Sequence, residues 1–261
     1  MTTQPVPPCA LCLKQRPLQQ SHVIPEFMYQ PLYGAKHRAR VLTNDAAQGT
    51  RPKYLQKGLR VPLLCFDCEQ HINDTCEKPM KAMWVDHQPY ADPMIQEHQW
   101  VLPAQPDAFR RFHLSVLFRA AAARTLNSAW KNVFADNHLP DMRTALLGTN
   151  PISPHRFPIA CWGIVDQELE LIRGLVVHPV DRRVFGVNAF CFIYGGFGWL
   201  YWCGSHFDEQ IATAMMQPDE NIPIGRIHFG EVGHLREVTD EHLRRIGRIS
   251  NNTEGTALHD R

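Results

Sequence analysis

Four cysteines stand as two Cys-x-x-Cys pairs, Cys9-Ala10-Leu11-Cys12 and Cys65-Phe66-Asp67-Cys68. A two-residue spacer lets both sulfurs of a pair turn toward one ion, and four thiolates in a tetrahedral set select zinc with every coordination position filled. The spacing therefore predicts one structural zinc site, closed to substrate. The stretch between the pairs is too long for a compact zinc ribbon, so a substantial element must stand between them. Eight cysteines in 261 residues, half of them in these pairs, suit metal binding in a reducing compartment better than a disulfide framework. Cys76, Cys161, Cys191 and Cys203 are expected to be buried thiols; the paired spacing argues against Cys76 displacing one of the four.

The intervening element opens with Ser21-His22-Val23-Ile24-Pro25, and the second pair is embedded in Leu63-Leu64-Cys65-Phe66-Asp67-Cys68-Glu69. In this order of parts the chain resembles the HNH (ββα-metal) nucleases of the zinc-stabilised treble-clef type. Those proteins have a CxxC knuckle and a strand carrying Asp-His followed by two apolar residues and a proline. A hairpin follows, then a second CxxC with a metal-binding His or Asn immediately after it. SHVIP with LLCFDCE looks closer still to a variant set of bacterial HNH-like proteins, in which Ser precedes the His and Glu follows the second pair. The match covers roughly residues 9 to 77, and the later FHLSVLFRA and YGGFGWLYW segments resemble that set less specifically.

The resemblance implies hydrolysis of a phosphodiester, in DNA, by one divalent ion (Mg or Mn) and one general base. His22 would be the base, since an imidazole near its ordinary pKa of ~6.5 can take a proton from water at neutral pH; the alternative is a structural histidine bonded to a backbone carbonyl. Ser21 stands where the family has its metal-binding Asp, and Glu69 where it has a neutral His or Asn. One carboxylate is lost and one gained, so Glu69 is the expected ligand of the catalytic ion, and a Mg²⁺ shell of one carboxylate, waters and substrate phosphates is chemically reasonable. The alternative for Glu69 is an acid at a helix N-terminus, favoured by the dipole. The family's supporting Asn could be Asn44. Asp74 and Glu77 could bind metal or be surface acids, and His71 faces away from Glu69 by helical phase.

Charge distribution adds to this. The net charge is only +1, yet the segment joining the cysteine pairs carries Lys36, Arg38, Arg40, Arg51, Lys53, Lys57 and Arg60 against Asp45 alone. Such a segment would attract a polyanion, with a solvated loop as the bland alternative.

The elements that must hold these residues follow from composition and period. The chain, 44% hydrophobic and 20% charged, can bury a sizeable core. It is expected to be α+β: an N-terminal zinc treble-clef (ββα-metal) module over residues 1–90, then a helical and β-rich domain over 91–261 built of a long helix and an antiparallel sheet. Residues 88–106 read as a connector with one short strand. From Asp107 the apolar residues Phe109, Phe112, Val116, Leu117, Ala120 and Ala121 recur at helical spacing, continued by Leu126, Trp130, Val133 and Phe134, which predicts a core helix of about 25 residues with arginines 110, 111, 119 and 124 on a solvated face. A shorter helix is expected from Pro140 to Leu147. Strands are expected in FPIACWGIV, LELIRGLVV, VFGVNAFCFIY and FGWLYWC, the last two joined at Gly195-Gly196. The final 57 residues offer one amphipathic piece, Thr239 to Ile249.

The uncharged run from Val184 to Gly204 is long enough to cross a bilayer as a helix, but its paired glycines between aromatic runs signal a hairpin. No membrane segment is expected, and with no secretory signal at the N-terminus the protein reads as cytoplasmic, which leaves the Asn251-Asn252-Thr253 sequon without meaning. Against the nuclease reading stands a catalytically inactive, zinc-stabilised module that binds nucleic acid or protein. A third reading, activity residing in residues 107–261, finds no nucleophile motif or phosphate loop there.

Overall fold

The computed structural model describes residues 7–33, 39–41, 53–55, 57–85, 94–96, 99–102, 106–123, 138–150, 152, 156–184, 187–203 and 222–231. Over these residues the protein is mixed α+β.

The first cysteine pair sits in a turn closed by Leu13 N–H donating to the Cys9 carbonyl (2.9 Å), with Leu13 in the left-handed region at φ 61°. Strand β1 (Leu18–His22) pairs antiparallel with β4 (Arg60–Cys65), and the register places Ser21 opposite Val61 and His22 opposite Arg60. The register slips between Gln19 and Gln20, opposite the segment that holds Pro62. A proline has no N–H for the ladder, and a bulge there costs little. Around it the Leu63 carbonyl accepts from Ala10 N–H (3.0 Å) and Leu64 N–H donates to Ser21 Oγ (3.1 Å), which ties the first knuckle to the hairpin.

Pro25, at φ −54°, then starts a 3-10 helix (Glu26–Leu32). Strands β2 (Ala39–Val41) and β3 (Lys53–Leu55) form a two-stranded ribbon. The second cysteine pair ends β4 and opens α1 (Phe66–Ile72), which runs without a break through a π-helical turn (Asn73–Glu77) into α2 (Lys78–Val85).

Helix α3 (Pro106–Ala122) is enclosed: every residue from Phe109 to Ala121 is buried. The expected solvated face is therefore absent for Arg110, Arg111 and Arg119, which are buried with the apolar residues around them. Arg111 pairs with Asp107 (2.8 Å) and donates to the carbonyls of Gly148 (2.9 Å) and Asn150 (2.6 Å), satisfying the end of α4 (His138–Leu147). Arg119 pairs with Glu77 at 2.5 Å. Arg124 and the expected continuation through Leu126, Trp130, Val133 and Phe134 lie outside the described residues.

One face of α3 packs on a seven-stranded sheet, ordered β5 (Met94–Gln96), β6 (Gln99–Leu102), β11 (Ile222–His228), β7 (Ile159–Val165), β10 (Phe197–Trp202), β9 (Val187–Tyr194) and β8 (Val177–Val184). The sheet is mixed rather than antiparallel throughout, since β11 runs parallel to β7. The expected LELIRGLVV strand is displaced: in that stretch Leu171 makes only a single bridge with Val165, and regular pairing resumes at Val177. The Gly195-Gly196 hairpin stands as expected, both glycines at positive φ (66° and 93°).

Phe197, Trp199 and Tyr201 alternate onto α3, and Leu200 and Trp202 onto the other face beside Ala189. A single hydrophobic cluster runs from Cys9, Val23, Ile24 and Leu64 through Phe112 to Phe192 and Trp199, so the cysteine-bearing segment and the sheet share one core. Helix α4 adds polar ties to it: Arg143 donates to the Ala10 carbonyl (2.7 Å), and the His71 ring bonds the Leu146 carbonyl (2.8 Å).

Candidate metal centre and the histidine beside it

The sulfurs of Cys9, Cys12, Cys65 and Cys68 all lie within 4.8 Å of one another, and those of Cys12 and Cys65 are 3.8 Å apart. A tetrahedral ion with metal–sulfur bonds of ~2.3 Å requires edges of roughly 3.8 Å, so the four thiols fit structural zinc. Cys65 N–H donates to Cys9 Sγ at 3.2 Å, a contact that favours thiolate. Burial weighs against the Cys65 thiolate, but the N–H and thiol of Cys68 with the thiols of Cys9 and Cys12 outweigh it and bring Cys65 down to about 7. Burial raises Cys9 and, together with the same thiols, Cys68. Four such groups ionise together only around a cation. Cys76 is buried outside the cluster, bonded to Thr75, and Cys161 and Cys191 are only partly buried.

His22 closes β1 at the rim of this module. Val23 and Ile24 behind it are fully buried, Val23 N–H donates to the Leu59 carbonyl (3.2 Å), and Pro25 turns the chain so that the next side chain comes back across the imidazole. That side chain is Glu26. Its Oε2 lies 2.7 Å from His22 Nε2, a close contact that is not an aligned hydrogen bond and becomes an ion pair when the imidazole is protonated, and neither atom has another partner among the described residues. Tyr33 donates to Glu26 Oε1 (2.6 Å), and the same phenol oxygen accepts from Gly58 N–H (3.1 Å). Burial, with the Glu26 bond, pushes the Tyr33 phenol up to about 12, so it stays a donor.

Position 58 must be glycine: a Cβ there would meet the Tyr29 ring at 2.5 Å, and the Tyr29 hydroxyl in turn holds Leu59 N–H (3.3 Å). Burial lowers the His22 pKa below its ordinary value. Glu26 opposes that, Arg60 and Arg119 add to it, and Glu77 opposes it more weakly.

No family model, no curated protein and no solved structure matches this chain. The site therefore rests on its own residues. Glu69 lies on α1, which packs against β1, and its Oε1 is shielded from solvent with no hydrogen-bond partner among the described residues. Glu69 is not among the charges that weigh most on His22; Glu26, Arg60, Arg119 and Glu77 are. Ser21 is buried, its hydroxyl taken by Leu64 N–H. Glu77 is engaged by Arg119 and Asp74 by Lys78 (2.6 Å). Of the basic segment, Lys57 and Arg60 are exposed, Arg40 and Lys53 lie on β2 and β3, and Lys36, Arg38 and Arg51, like Asn44, lie outside the described residues. Thr239 to Ile249 and the Asn251 sequon also lie outside them. No helix among the described residues is long and apolar enough to cross a membrane, and Val184 to Gly204 contributes β9 and β10.

Sequence reasoning missed Glu26, Tyr33 and Arg119. Nothing in the spacing signals the first, because His22 ends a strand and Glu26 opens a helix, so no single periodicity relates them. For Arg119 the signal is a helix apolar at every angle, which leaves no face for solvent.

Proposed function

We propose that this protein is a metal-dependent, HNH-like endonuclease that hydrolyses phosphodiester bonds in DNA, with Cys9, Cys12, Cys65 and Cys68 holding structural zinc in a treble-clef module. The observation that carries the reading is the placement of His22. It closes β1, whose antiparallel partner β4 ends at the second cysteine pair and runs directly into α1, and the four thiols bring the first knuckle against the start of that helix.

His22 acts as the base. It takes the proton of an attacking water; the water oxygen bonds phosphorus as the P–O3′ bond breaks, and the 3′ oxygen leaves with that bond's electron pair. Burial lowers its pKa, so the imidazole is neutral and ready to accept at neutral pH. Glu69 would hold a divalent ion, and its shielded, unpartnered oxygen fits one carboxylate position in a Mg²⁺ or Mn²⁺ shell. Such an ion supplies charge stabilisation at the phosphate and leaving oxygens. Lys57 and Arg60, exposed on the approach to β4, supply phosphate contacts.

The engagement of Ser21 by Leu64 N–H favours a second reading, a zinc-stabilised module that binds nucleic acid or protein without cutting. Incubation of supercoiled plasmid with Mg²⁺ or Mn²⁺ separates the two. Nicking by the parent and its loss in His22→Ala and Glu69→Ala, both still folded and zinc-loaded, is the expected result. Plasmid binding without nicking by the parent selects the binder.

A further inference from the structure

We infer that Glu26 is the positioning residue of His22, holding the imidazole proton on Nε2 and presenting Nδ1 as the proton acceptor. Glu26 Oε2 sits 2.7 Å from Nε2, and Nε2 has no other partner among the described residues. A neutral imidazole carries one N–H, and the negative charge of a carboxylate in contact with one ring nitrogen favours the proton there even where the contact is not an aligned hydrogen bond. The opposite nitrogen is left with its lone pair free.

Glu26 is itself fixed. Tyr33 donates to its second oxygen, Gly58 N–H fixes Tyr33, and Gly58 is pressed bare against Tyr29. A carboxylate that merely favoured the start of the 3-10 helix would need none of these ties. The charges that bear on the imidazole are Glu26 from that helix, Arg60 from β4, Glu77 from the π-helical turn and Arg119 from α3. The carboxylate in contact is the one that can follow the imidazole through a proton transfer. It orients the neutral ring and stabilises the imidazolium formed when water gives up its proton, the logic of a base held by a third group.

The catalytic consequence rests on the nuclease reading; the tautomer does not. In ¹⁵N-histidine NMR of the full zinc-loaded chain, with His22 assigned by its loss in His22→Asn, the parent is expected to show the Nε2–H tautomer. Glu26→Gln, which keeps the shape without the charge, is expected to give a mixture of tautomers and to move the His22 titration to lower pH. With plasmid as substrate the same variant should lower kcat by roughly 10- to 100-fold, within the usual reach of general-base catalysis, and leave KM within about twofold. The acid limb of its pH–rate profile should move to lower pH, and Glu26→Asp should recover part of the rate.

If Glu26→Gln does not fold, Tyr33→Phe loosens the same carboxylate and is expected to shift the tautomer in the same direction, more weakly. An Nδ1–H tautomer in the parent, or an unchanged tautomer and titration in folded variants, overturns the assignment. An Nε2–H tautomer in the parent that shifts in Glu26→Gln, with a parent that never nicks plasmid, retains the assignment and removes the nuclease reading instead.

Discussion

The cysteine-bearing segment and the sheet lie on one continuous core, yet they are held in different ways. Around the thiols the strands are short, five and six residues, and they are tied to one another and to their neighbours by hydrogen bonds such as Ala10 to Leu63, Leu64 to Ser21 and Arg143 to Ala10. Against α3 the sheet buries Phe190, Phe192, Tyr194, Phe197, Trp199 and Tyr201 almost completely. Aromatic burial of that extent stabilises a sheet by itself, whereas short elements stitched by single hydrogen bonds need an ion. The polar catalytic candidates sit in the segment whose stability is borrowed, and the aromatic region supplies the rigid wall.

Zinc removal gives the largest separation of the two regions. Structural zinc contributes ~10–16 kcal/mol in small thiolate modules. Chelation, or Cys65→Ser, is therefore expected to melt the hairpin and α1 while the near-ultraviolet signal of the sheet aromatics survives. Hydrogen exchange that rises equally in both regions would show that the shared core makes them one cooperative unit. Elemental analysis should return one zinc per parent chain.

The converse is Trp199→Ala. Removing a fully buried indole costs about 3–5 kcal/mol, so the sheet should lose cooperative unfolding by calorimetry while zinc stays at one equivalent. At the joint, Glu77→Gln leaves the buried Arg119 guanidinium unpaired, at a cost of about 3 kcal/mol. Glu77→Gln combined with Arg119→Met should recover most of that in a denaturant titration, and failure to recover would mean that Glu77 does more than neutralise Arg119.

A smaller effect lies in pH. His113 is wholly buried, its Nδ1 2.8 Å from the Tyr194 hydroxyl and 2.6 Å from that of Tyr201, and burial, with Arg110 adding, holds its pKa well below ordinary. The unfolded chain protonates this histidine near pH 6.5, so below that pH the unfolded state binds more protons. Its contribution is complete above pH ~6.5 and falls by about 1.4 kcal/mol per unit as pH drops toward the folded pKa. With zinc in excess, denaturant midpoints of the parent between pH 6.5 and 5.5 should decline more steeply than those of His113→Gln. The smallest effect is expected at Lys57→Glu, which should leave both regions intact and lower the salt slope of DNA binding by about one counterion.

How much was legible in the sequence follows the range of the interaction concerned. Cys-x-x-Cys spacing encodes its own geometry, and Gly195-Gly196 encodes its own turn, so both were readable locally. The start of β8 was not, because β-rich composition in residues 169–177 does not say which residues will find a partner on β9. Nor was β11, whose neighbours β6 and β7 lie far back in the chain. Arg119 looked solvated because its partner Glu77 stands outside any helical window, and Arg111, paired with Asp107 one turn back, because the carbonyls of Gly148 and Asn150 that enclose it do as well. The bond from Leu64 N–H to Ser21 was not readable either, because it joins residues 43 apart in the chain.

The paired clamps at Tyr33–Gly58 and Tyr29–Leu59 have a consequence for protein engineering. They fix where the chain leaves the 3-10 helix and where it rejoins β4, so the positions of Tyr33 and Leu59 are set by these hydrogen bonds. A one-residue insertion after Gly58 would slide Leu64 off Ser21 and the second cysteine pair off the first. The register of the second cysteine pair is counted from a single glycine.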